Sequence, residues 1–178
     1  MSDLDQSTPN LVERFPEGVS ADTRPGYSGF IVAPGQFIQV IWALRDEFGY
    51  DYLSSITAVD YLPEDCIEIV YHLYRSIGGP ALVLKVKTSR TDSAVPSLVN
   101  LYPGAELQER EVWDLLGVQF TGHPDLRRIL TWEGFAGHPL RKDWHEPFFE
   151  EDVKPYKSRW PEGQPRRIED QNPYHNNL

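Results

Sequence analysis

The chain has little cysteine, a shortage of basic residues and no long apolar run. Cys66 is its one cysteine among 178 residues, which excludes an internal disulfide and a self-contained four-cysteine iron–sulfur site. Acidic residues outnumber basic ones 27 to 17, and the net charge of −10 disfavours nucleic acid and anionic lipid as direct partners. No apolar run approaches the roughly 20 residues of a membrane span, and the first ten residues show no signal-peptide pattern. We therefore expect a soluble chain without a direct membrane span.

The chain also lacks the sequence patterns of a self-sufficient enzyme. Neither G-x-G-x-x-G nor G-x-x-x-x-G-K-[ST] occurs, so the sequence contains no recognisable nucleotide site. Cys66 has no evident general base near it in sequence, which favours a semi-buried strand cysteine over a nucleophile. We expect no catalytic, cofactor-binding or metal-binding residue in this chain.

Alternation of apolar and other side chains predicts three strands. Residues 66–75 and 81–88 alternate, and residues 53–61 contain Leu53, Ile56, Val59 and Tyr61. The three runs are separated by turn residues, a pattern typical of an antiparallel meander. In the third strand, Lys85 and Lys87 share one face. We expect that face to be solvated.

Helices are predicted before and after these strands. One begins at Pro34 and ends at Gly49, and its apolar stripe is typical of a core-facing helix. A short helix is predicted from Pro96, and a short strand over 118–120. This order predicts an α+β fold of two layers, with a mainly antiparallel or mixed sheet and helices on one face.

The stretch 104–144 is rich in charge and in aromatic residues, and it contains the main predicted helix. Only helix formers lie between Gly104 and Gly117, which predicts a helix over 105–116 that ends at Gly117. The rest of the stretch contains the tripeptide Gly-His-Pro twice, which is typical of turns or extended chain because proline restricts the preceding residue.

Four charged residues of this helix fall at informative angles. At about 100° per residue, Glu109 and Glu111 lie within or beside the apolar face. Arg110 and Asp114 lie together on the opposite side, at an i,i+4 spacing that allows an ion pair. The helix therefore presents carboxylates at a buried rim.

Carboxylates at a buried rim need partners, because an unpaired buried charge costs several kcal/mol or becomes neutralised. Arg127 and Arg128 are the nearest arginines that follow, and a guanidinium suits a carboxylate better than an ammonium does. We predict that Glu109 or Glu111 pairs with Arg127 or Arg128, or with an arginine of another chain. The alternative is a solvated helix with incidental pairs. Adjacent arginines would hold the glutamates ionised, which favours a structural role over general acid–base chemistry.

The two Gly-His-Pro histidines raise the question of a metal site. His123 and His138, with nearby acids, could in principle bind a metal. Their separation of 15 residues is not a local ligand pattern. Hydrogen-bonded turn histidines are the favoured interpretation.

The spacing of these charged residues resembles a family signature, that of the 30-kilodalton-type (C) subunit of respiratory complex I, the proton-pumping NADH:quinone oxidoreductase. The similarity covers roughly residues 28–144. Its motifs are Glu109-Arg110-Glu111, Asp114-Leu115-Leu116, His123 and Arg127-Arg128, the runs 122–130 and 137–143, and the strand motif 55–61.

The resemblance implies a non-catalytic, cofactor-free subunit of an enzyme that transfers electrons from NADH to quinone and translocates protons. FMN, the iron–sulfur clusters and quinone would be bound by other subunits. The implied partners are the quinone-site subunit (the 49-kilodalton-type, or D, subunit) and neighbouring iron–sulfur subunits, in an obligate hetero-oligomer. The implied location is the peripheral arm, on the cytoplasmic face of the inner or plasma membrane or the equivalent organelle side. The chain would contribute assembly and rigidity.

The residues expected to form ion pairs or to contact partners are the charged and histidine side chains of the 104–144 stretch. They are Glu109, Arg110, Glu111, Asp114, His123, Arg127, Arg128, His138, Arg141, Lys142 and Asp143.

The composition divides the chain into three segments. Residues 1–10 are polar and expected to be loose. Residues 11–144 form the α+β domain. Residues 145–178 contain few aliphatics, so they cannot build their own core, and we expect an extended arm that docks on partner subunits. A disordered tail is the alternative. The predicted anchors are aromatic: Phe148, Phe149, Tyr156, Trp160 and Tyr174.

Two other functions remain as hypotheses. One is the equivalent subunit of a membrane-bound energy-converting hydrogenase or of a ferredoxin- or F420-linked oxidoreductase, which the electron donor would distinguish. The other is a small stand-alone enzyme that uses the cluster of glutamate, histidine and arginine side chains. A monomer that turns over a substrate would support the latter.

Overall fold

The computed structural model describes residues 9–145, so the five aromatic arm residues lie outside the described residues. Short 3-10 turns at Pro34–Gln36 and Leu62–Glu64 precede α2 and β4. The helices and strands, in chain order, are α1 Leu11–Arg14, β1 Val19–Ala21, β2 Phe30–Val32, α2 Phe37–Asp46, β3 Tyr52–Tyr61, β4 Cys66–Tyr74, β5 Leu82–Ser89, β6 Ala94–Pro96, α3 Ala105–Leu116 and β7 Gln119–Thr121.

The main sheet has five strands in the order β1-β2-β5-β4-β3. The predicted antiparallel meander of β3, β4 and β5 is confirmed, with Tyr71 of β4 paired between Ile56 and Leu84. β2 joins β5 in parallel, which makes the sheet mixed. The predicted α+β class with a mixed sheet is therefore confirmed. The strands β1 and β2 were not predicted, since three-residue strands carry too short an alternation.

The helices cover the sheet face that carries the apolar residues of β4. Ile67, Ile69 and Tyr71 are completely buried there. The ring of Phe37 in α2 packs on Tyr71 at 4.7 Å between centroids. α3 packs on β3, where the side-chain oxygen of Gln108 accepts a hydrogen bond of 2.5 Å from the backbone N–H of Ile56. The core therefore places α3 along the open edge strand of the sheet and satisfies one of its unpaired N–H groups.

The helix predicted from Pro96 is wrong. Residues Ala94–Pro96 form β6, which pairs in parallel with β7 as a separate two-stranded sheet. Residues 99–101 then form a single hydrogen-bonded turn and not a longer helix. The backbone N–H of Tyr102 donates to the carbonyl of Leu98. Pro103 disfavours helical backbone at the residue before it, and the backbone N–H of Leu98 is bound by a side chain of α3. Proline here ends a strand rather than beginning a helix.

The expectation that Lys85 is solvated is also wrong, since its exposed fraction is 3%. Its ammonium donates to the Asp22 carboxylate, and the ring of Tyr27 lies over it at 4.5 Å. Arg24 bridges Asp22 and Glu68 at 2.7 and 2.9 Å. The segment that follows β1 therefore covers this part of the sheet, and the alternation of β5 could not indicate that cover.

Replacing Asp22 with alanine should destabilise the fold by about 3–5 kcal/mol, because it leaves the Lys85 ammonium buried and unpaired. Hydrogen bonds from Arg24, then Lys85, hold the pKa of Asp22 below its usual range. Its stabilisation is therefore present above about pH 4 and lost as the pH falls through the lowered value. Denaturant unfolding at several pH values measures both effects. Asp46→Ala, which removes an exposed pair with Arg45, is the matched control and should unfold like the wild type.

Candidate functional site

Residues 122–144, called here the outer segment, cover the side of α3 that faces away from the sheet. Arg110 and Asp114 lie on that side, as their angular placement predicts, yet both are buried. Arg110 and Asp114 do not form the ion pair that their spacing allows, because each binds the outer segment instead. The site is therefore a helix held between a sheet and an irregular segment.

The Asp114 carboxylate is the anchor of the outer segment. Its Oδ2 accepts hydrogen bonds from three consecutive backbone N–H groups, those of Ile129, Leu130 and Thr131, at 3.1, 2.8 and 2.8 Å. Its Oδ1 accepts from the Thr131 hydroxyl at 2.5 Å and from Arg128 Nη1 at 2.6 Å. A completely buried carboxylate is thus fully satisfied by a turn that wraps around it.

These contacts determine the charge state of Asp114. Burial alone would raise its pKa, but the hydrogen bonds from Thr131, and from the N–H groups of Ile129 and Leu130, outweigh burial and lower it well below the usual range. Asp114 is therefore ionised at neutral pH, and it balances the charge of Arg128.

Arg128 and Arg110 fix the backbone of the outer segment from two directions. The second terminal nitrogen of Arg128 donates to the carbonyls of Phe135 and Gly137 at 3.0 and 3.2 Å. Arg110 donates from α3 to the carbonyls of Arg127 and Arg128 at 3.1 and 3.2 Å. Each planar guanidinium satisfies several carbonyls of a segment that has no regular hydrogen bonding of its own.

The outer segment also caps the last turn of α3. Gly117, at φ 79°, ends the helix in the left-handed region. The carbonyls that remain unpaired at a helix end receive donors from the outer segment. His138 Nδ1 donates to Asp114 O at 2.9 Å, the N–H of Leu140 to Leu115 O at 3.0 Å, and Arg141 Nε to Leu116 O at 2.7 Å.

The first Gly-His-Pro turn lies near the other end of α3. His123 Nε2 is 3.1 Å from the carbonyl oxygen of Glu106, and its Nδ1 accepts from the N–H of Asp125 at 3.0 Å. Because a carbonyl only accepts, Nε2 is the donor, which fixes the neutral tautomer. Arg127 is largely exposed and pairs with Asp125 at 2.7 Å. Both histidines of the repeated tripeptide are hydrogen-bonded turn residues in the structure.

The end of the outer segment is attached to the main sheet. Arg90 binds the buried Asp60 carboxylate at 2.7 Å and Asp143 at 2.5 Å. The backbone N–H of Lys142 donates to the same Asp60 carboxylate at 2.7 Å. Asp60 and Arg90 thus hold the 141–143 turn against the end of β3.

The predicted pairing of Glu109 or Glu111 with Arg127 or Arg128 within the chain is wrong. Glu109 is completely buried, but it accepts from the Ser97 hydroxyl and the N–H of Leu98, both at 2.6 Å. Glu111 is exposed and forms no ion pair with any residue between 9 and 145. The carboxylate that meets Arg128 is Asp114, because the outer segment crosses the far side of α3 rather than its apolar rim.

Substitutions at Glu109 should separate its charge from its hydrogen bonds. Burial raises the pKa of Glu109, although the bonds from Ser97 and Leu98 oppose the shift. A raised folded pKa means that its contribution is greatest at low pH and is lost as the pH rises through that value. Glu109→Gln should therefore flatten the pH dependence of unfolding above about pH 4, the usual pKa of an unfolded glutamate. Glu109→Ala should cost about 2–4 kcal/mol, because two donors lose their acceptor. Equal losses for the two variants would show that the hydrogen bonds to Glu109 contribute nothing beyond its charge, contrary to this expectation.

The outer segment presents a set of exposed apolar side chains. Trp132 and Leu130 are each 61% exposed. Trp132 packs edge-on against Phe135, which in turn stacks on Trp144. These ring contacts hold the exposed Trp132 side chain in place. The exposed apolar side chains of this region are Leu107 of α3 and Ile129, Leu130, Trp132 and Leu140 of the outer segment. We call these five side chains the exposed apolar patch; exposed apolar and aromatic side chains on a hydrogen-bonded segment are typical of a surface that binds another protein.

Sequence reasoning missed several residues that build the site. Thr131, Ser97 and Arg90 have no recognisable spacing to the residues they bind, which lie between 12 and 53 positions away. For Asp60, the only sequence signal was its position near the end of a predicted strand. Within residues 9–145, no cluster of three or more metal-ligating side chains occurs. No helix in that range is long and apolar enough to cross a membrane.

Comparison with known families and proteins gives a consistent result. The model of the family described as "Respiratory-chain NADH dehydrogenase, 30 Kd subunit" matches residues 30–148. The C subunit of the NADH-quinone oxidoreductase of Moorella thermoacetica is 41% identical over 143 residues, which is 79% of this chain and 95% of that protein. The protein of the same name from Citrifermentans bemidjiense is 34% identical over 163 residues, 89% of this chain and 99% of its own length.

Two solved structures are similar in fold. A trypsin-resistant fragment (1–134) of Nqo5 has a TM-score of 0.56 and 28% identity, and the match covers 65% of this chain and 96% of the fragment. A chain of the membrane-bound sulfane sulfur reductase, an archaeal respiratory membrane complex, has a TM-score of 0.65 at 24% identity, over 89% of this chain and 95% of that one. At that identity the second match shows the fold alone.

Proposed function

The chain belongs to the family of the 30 Kd subunit of respiratory-chain NADH dehydrogenase, and from that membership we propose that it is a structural subunit of a complex I type NADH:quinone oxidoreductase. Its role is to hold neighbouring subunits in fixed geometry in the peripheral arm. The chemistry, electron transfer from NADH to quinone coupled to proton translocation, belongs to the whole enzyme.

The anchoring of the outer segment is the observation that carries this proposal. Asp114, Arg110 and Arg128 use their hydrogen-bonding capacity to fix an irregular segment. That arrangement leaves apolar residues such as Leu130 and Trp132 exposed at fixed positions. Pre-ordering an irregular surface lowers the entropy cost of association, which is what a scaffold subunit requires.

The charged residues of the site support structure rather than catalysis. Asp114 and Glu109 are enclosed and already fully engaged by donors of the same chain. Both ring nitrogens of His123, and Nδ1 of His138, are hydrogen-bonded to backbone groups. A catalytic acid or base must reach a substrate proton, and the buried carboxylates of Asp114 and Glu109 do not. We propose that the chain is non-catalytic and binds no cofactor, so that FMN, iron–sulfur clusters and quinone are held by other subunits.

The proposed partners are the quinone-site subunit and the iron–sulfur subunits next to it. The outer segment is the proposed contact surface, and the aromatic residues of 145–178 are proposed as further anchors. The proposed location is the side of the membrane on which the peripheral arm lies, the cytoplasmic face in a bacterium. These proposals rest on family membership together with the exposed apolar patch.

Affinity purification of the tagged full chain from gently solubilised membranes, followed by mass spectrometry, tests the proposed function. Recovery of the quinone-site subunit, iron–sulfur subunits and an NADH- and flavin-binding module is the expected result. Recovery of a nickel–iron hydrogenase catalytic subunit instead would assign the chain to a related membrane complex. Recovery of the chain alone would contradict the scaffold role.

A further inference from the structure

The surroundings of His138 disfavour a second proton on its imidazole ring. Its Nδ1 donates to the carbonyl of Asp114, so the neutral ring carries its proton on Nδ1 and leaves Nε2 without one. Nε2 and Cδ2 face Gly117 so closely that a side-chain Cβ at that residue would lie 2.7 and 2.6 Å from them. The same point is 2.9 Å from Arg141 Nη2. The side of the ring that carries Nε2 thus lies close to the Arg141 guanidinium, in a residue that is half-buried.

The charged groups that face His138 come from α3 and from the outer segment. Arg141 and Arg128 both oppose a positive charge on the ring, whereas Asp114 favours it. Asp114 is itself neutralised by Arg128 at 2.6 Å and by three N–H groups. A protonated His138 would therefore add a third cation to a turn that already contains two arginines and one engaged carboxylate.

We propose that His138 is a pH-sensitive contact. In its neutral form it holds the outer segment on the last turn of α3, and its protonation loosens the outer segment. The loosened part is the turn from Thr131 to Arg141, including the exposed Trp132. Loosening of the outer segment is independent of any partner. Its consequence, weaker docking at low pH, rests on the proposed scaffold function.

The direction of the pH effect follows from the surroundings of the ring. Burial, followed by the two arginines, lowers the pKa of His138 despite the bond to Asp114 O. The stabilisation from neutral His138 is therefore complete above about pH 6.5 and is lost as the pH falls through the lowered folded value. The effect separates from that of Asp114, which is lost only below about pH 4.

Amide hydrogen exchange of the isolated full chain, compared between about pH 8 and about pH 5 after correction for intrinsic rates, tests the proposal. Exchange in residues 131–141 should rise by about tenfold at the lower pH, while the β4 amides stay unchanged. His138→Asn keeps an N–H donor near the Nδ1 position but does not titrate in this range, so its exchange should not change with pH. His72→Gln on β4 is the matched control and should behave like the wild type.

Nitrogen-15 NMR of the histidine rings gives a second readout that does not depend on a variant folding. His138 should show the Nδ1–H tautomer at neutral pH, and its titration should coincide with the rise in exchange. An Nε2–H tautomer, or a pH response that persists in His138→Asn, would overturn the proposal. If the exchange response is confirmed but affinity purification recovers no partner subunits, the pH-sensitive contact is supported and the scaffold function is rejected.

Discussion

Replacing Asp114 with alanine is expected to destabilise the chain by about 4 kcal/mol. The substitution removes the acceptor for the N–H groups of Ile129, Leu130 and Thr131 and leaves Arg128 partly buried without its counterion. Each unsatisfied buried donor costs about 1–3 kcal/mol, which release of the outer segment to water would partly relieve. Denaturant unfolding measures the loss, and hydrogen exchange shows where it is located.

Two further variants test the origin of that loss. Glu111→Ala removes an exposed carboxylate from the same helix and should change the free energy of unfolding by no more than about 0.5 kcal/mol. Asp114→Asn keeps the size of the side chain but places a donor among donors, so it should remain clearly destabilised. A loss at Glu111 comparable to that at Asp114 would contradict the assignment of Asp114 as the anchor.

The second large effect is expected on association rather than folding. Leu130→Asp and Trp132→Ala should each weaken assembly with neighbouring subunits by about 30-fold, equivalent to about 2 kcal/mol, if these side chains act as anchors. Unfolding of the isolated variants should be nearly unchanged, since both side chains are mostly exposed. Ile77→Asp, at an equally exposed apolar position outside the outer segment, is the control. Equal assembly of all three variants would reject the outer segment as the contact surface.

Local sequence signals were sufficient for the longer helices and strands, α2, α3 and β3 to β5. Gly117 marks the end of α3 because glycine readily adopts the left-handed conformation found there. Alternation over eight or nine residues identifies β4 and β5, and apolar residues bounded by turn signals identify β3. The element signalled by Pro96 was misassigned because proline is common both at the start of helices and at strand ends.

The partners of the charged residues could not be predicted from the same signals. The angles of Glu109, Arg110 and Asp114 around α3 were correct, and so was the conclusion that buried charges need partners. The error concerned the path of the outer segment. The Asp114 carboxylate accepts most of its hydrogen bonds from backbone N–H groups 15 to 17 residues away, and a backbone donor has no sequence signature. Lys85 was misjudged for a similar reason, because its cover comes from residues 63 positions earlier.

Site-specific photo-crosslinking in the assembled complex shows whether the outer segment contacts a neighbouring subunit. A photoreactive phenylalanine analogue at position 130, in the middle of the outer segment, is compared with the same analogue at position 77. We expect position 130 to crosslink to a neighbouring subunit, the proposed one being the quinone-site subunit, and position 77 to do so weakly. Crosslinks from position 130 to this chain alone, with a fully assembled complex, would contradict the claim that the anchored outer segment is a docking surface.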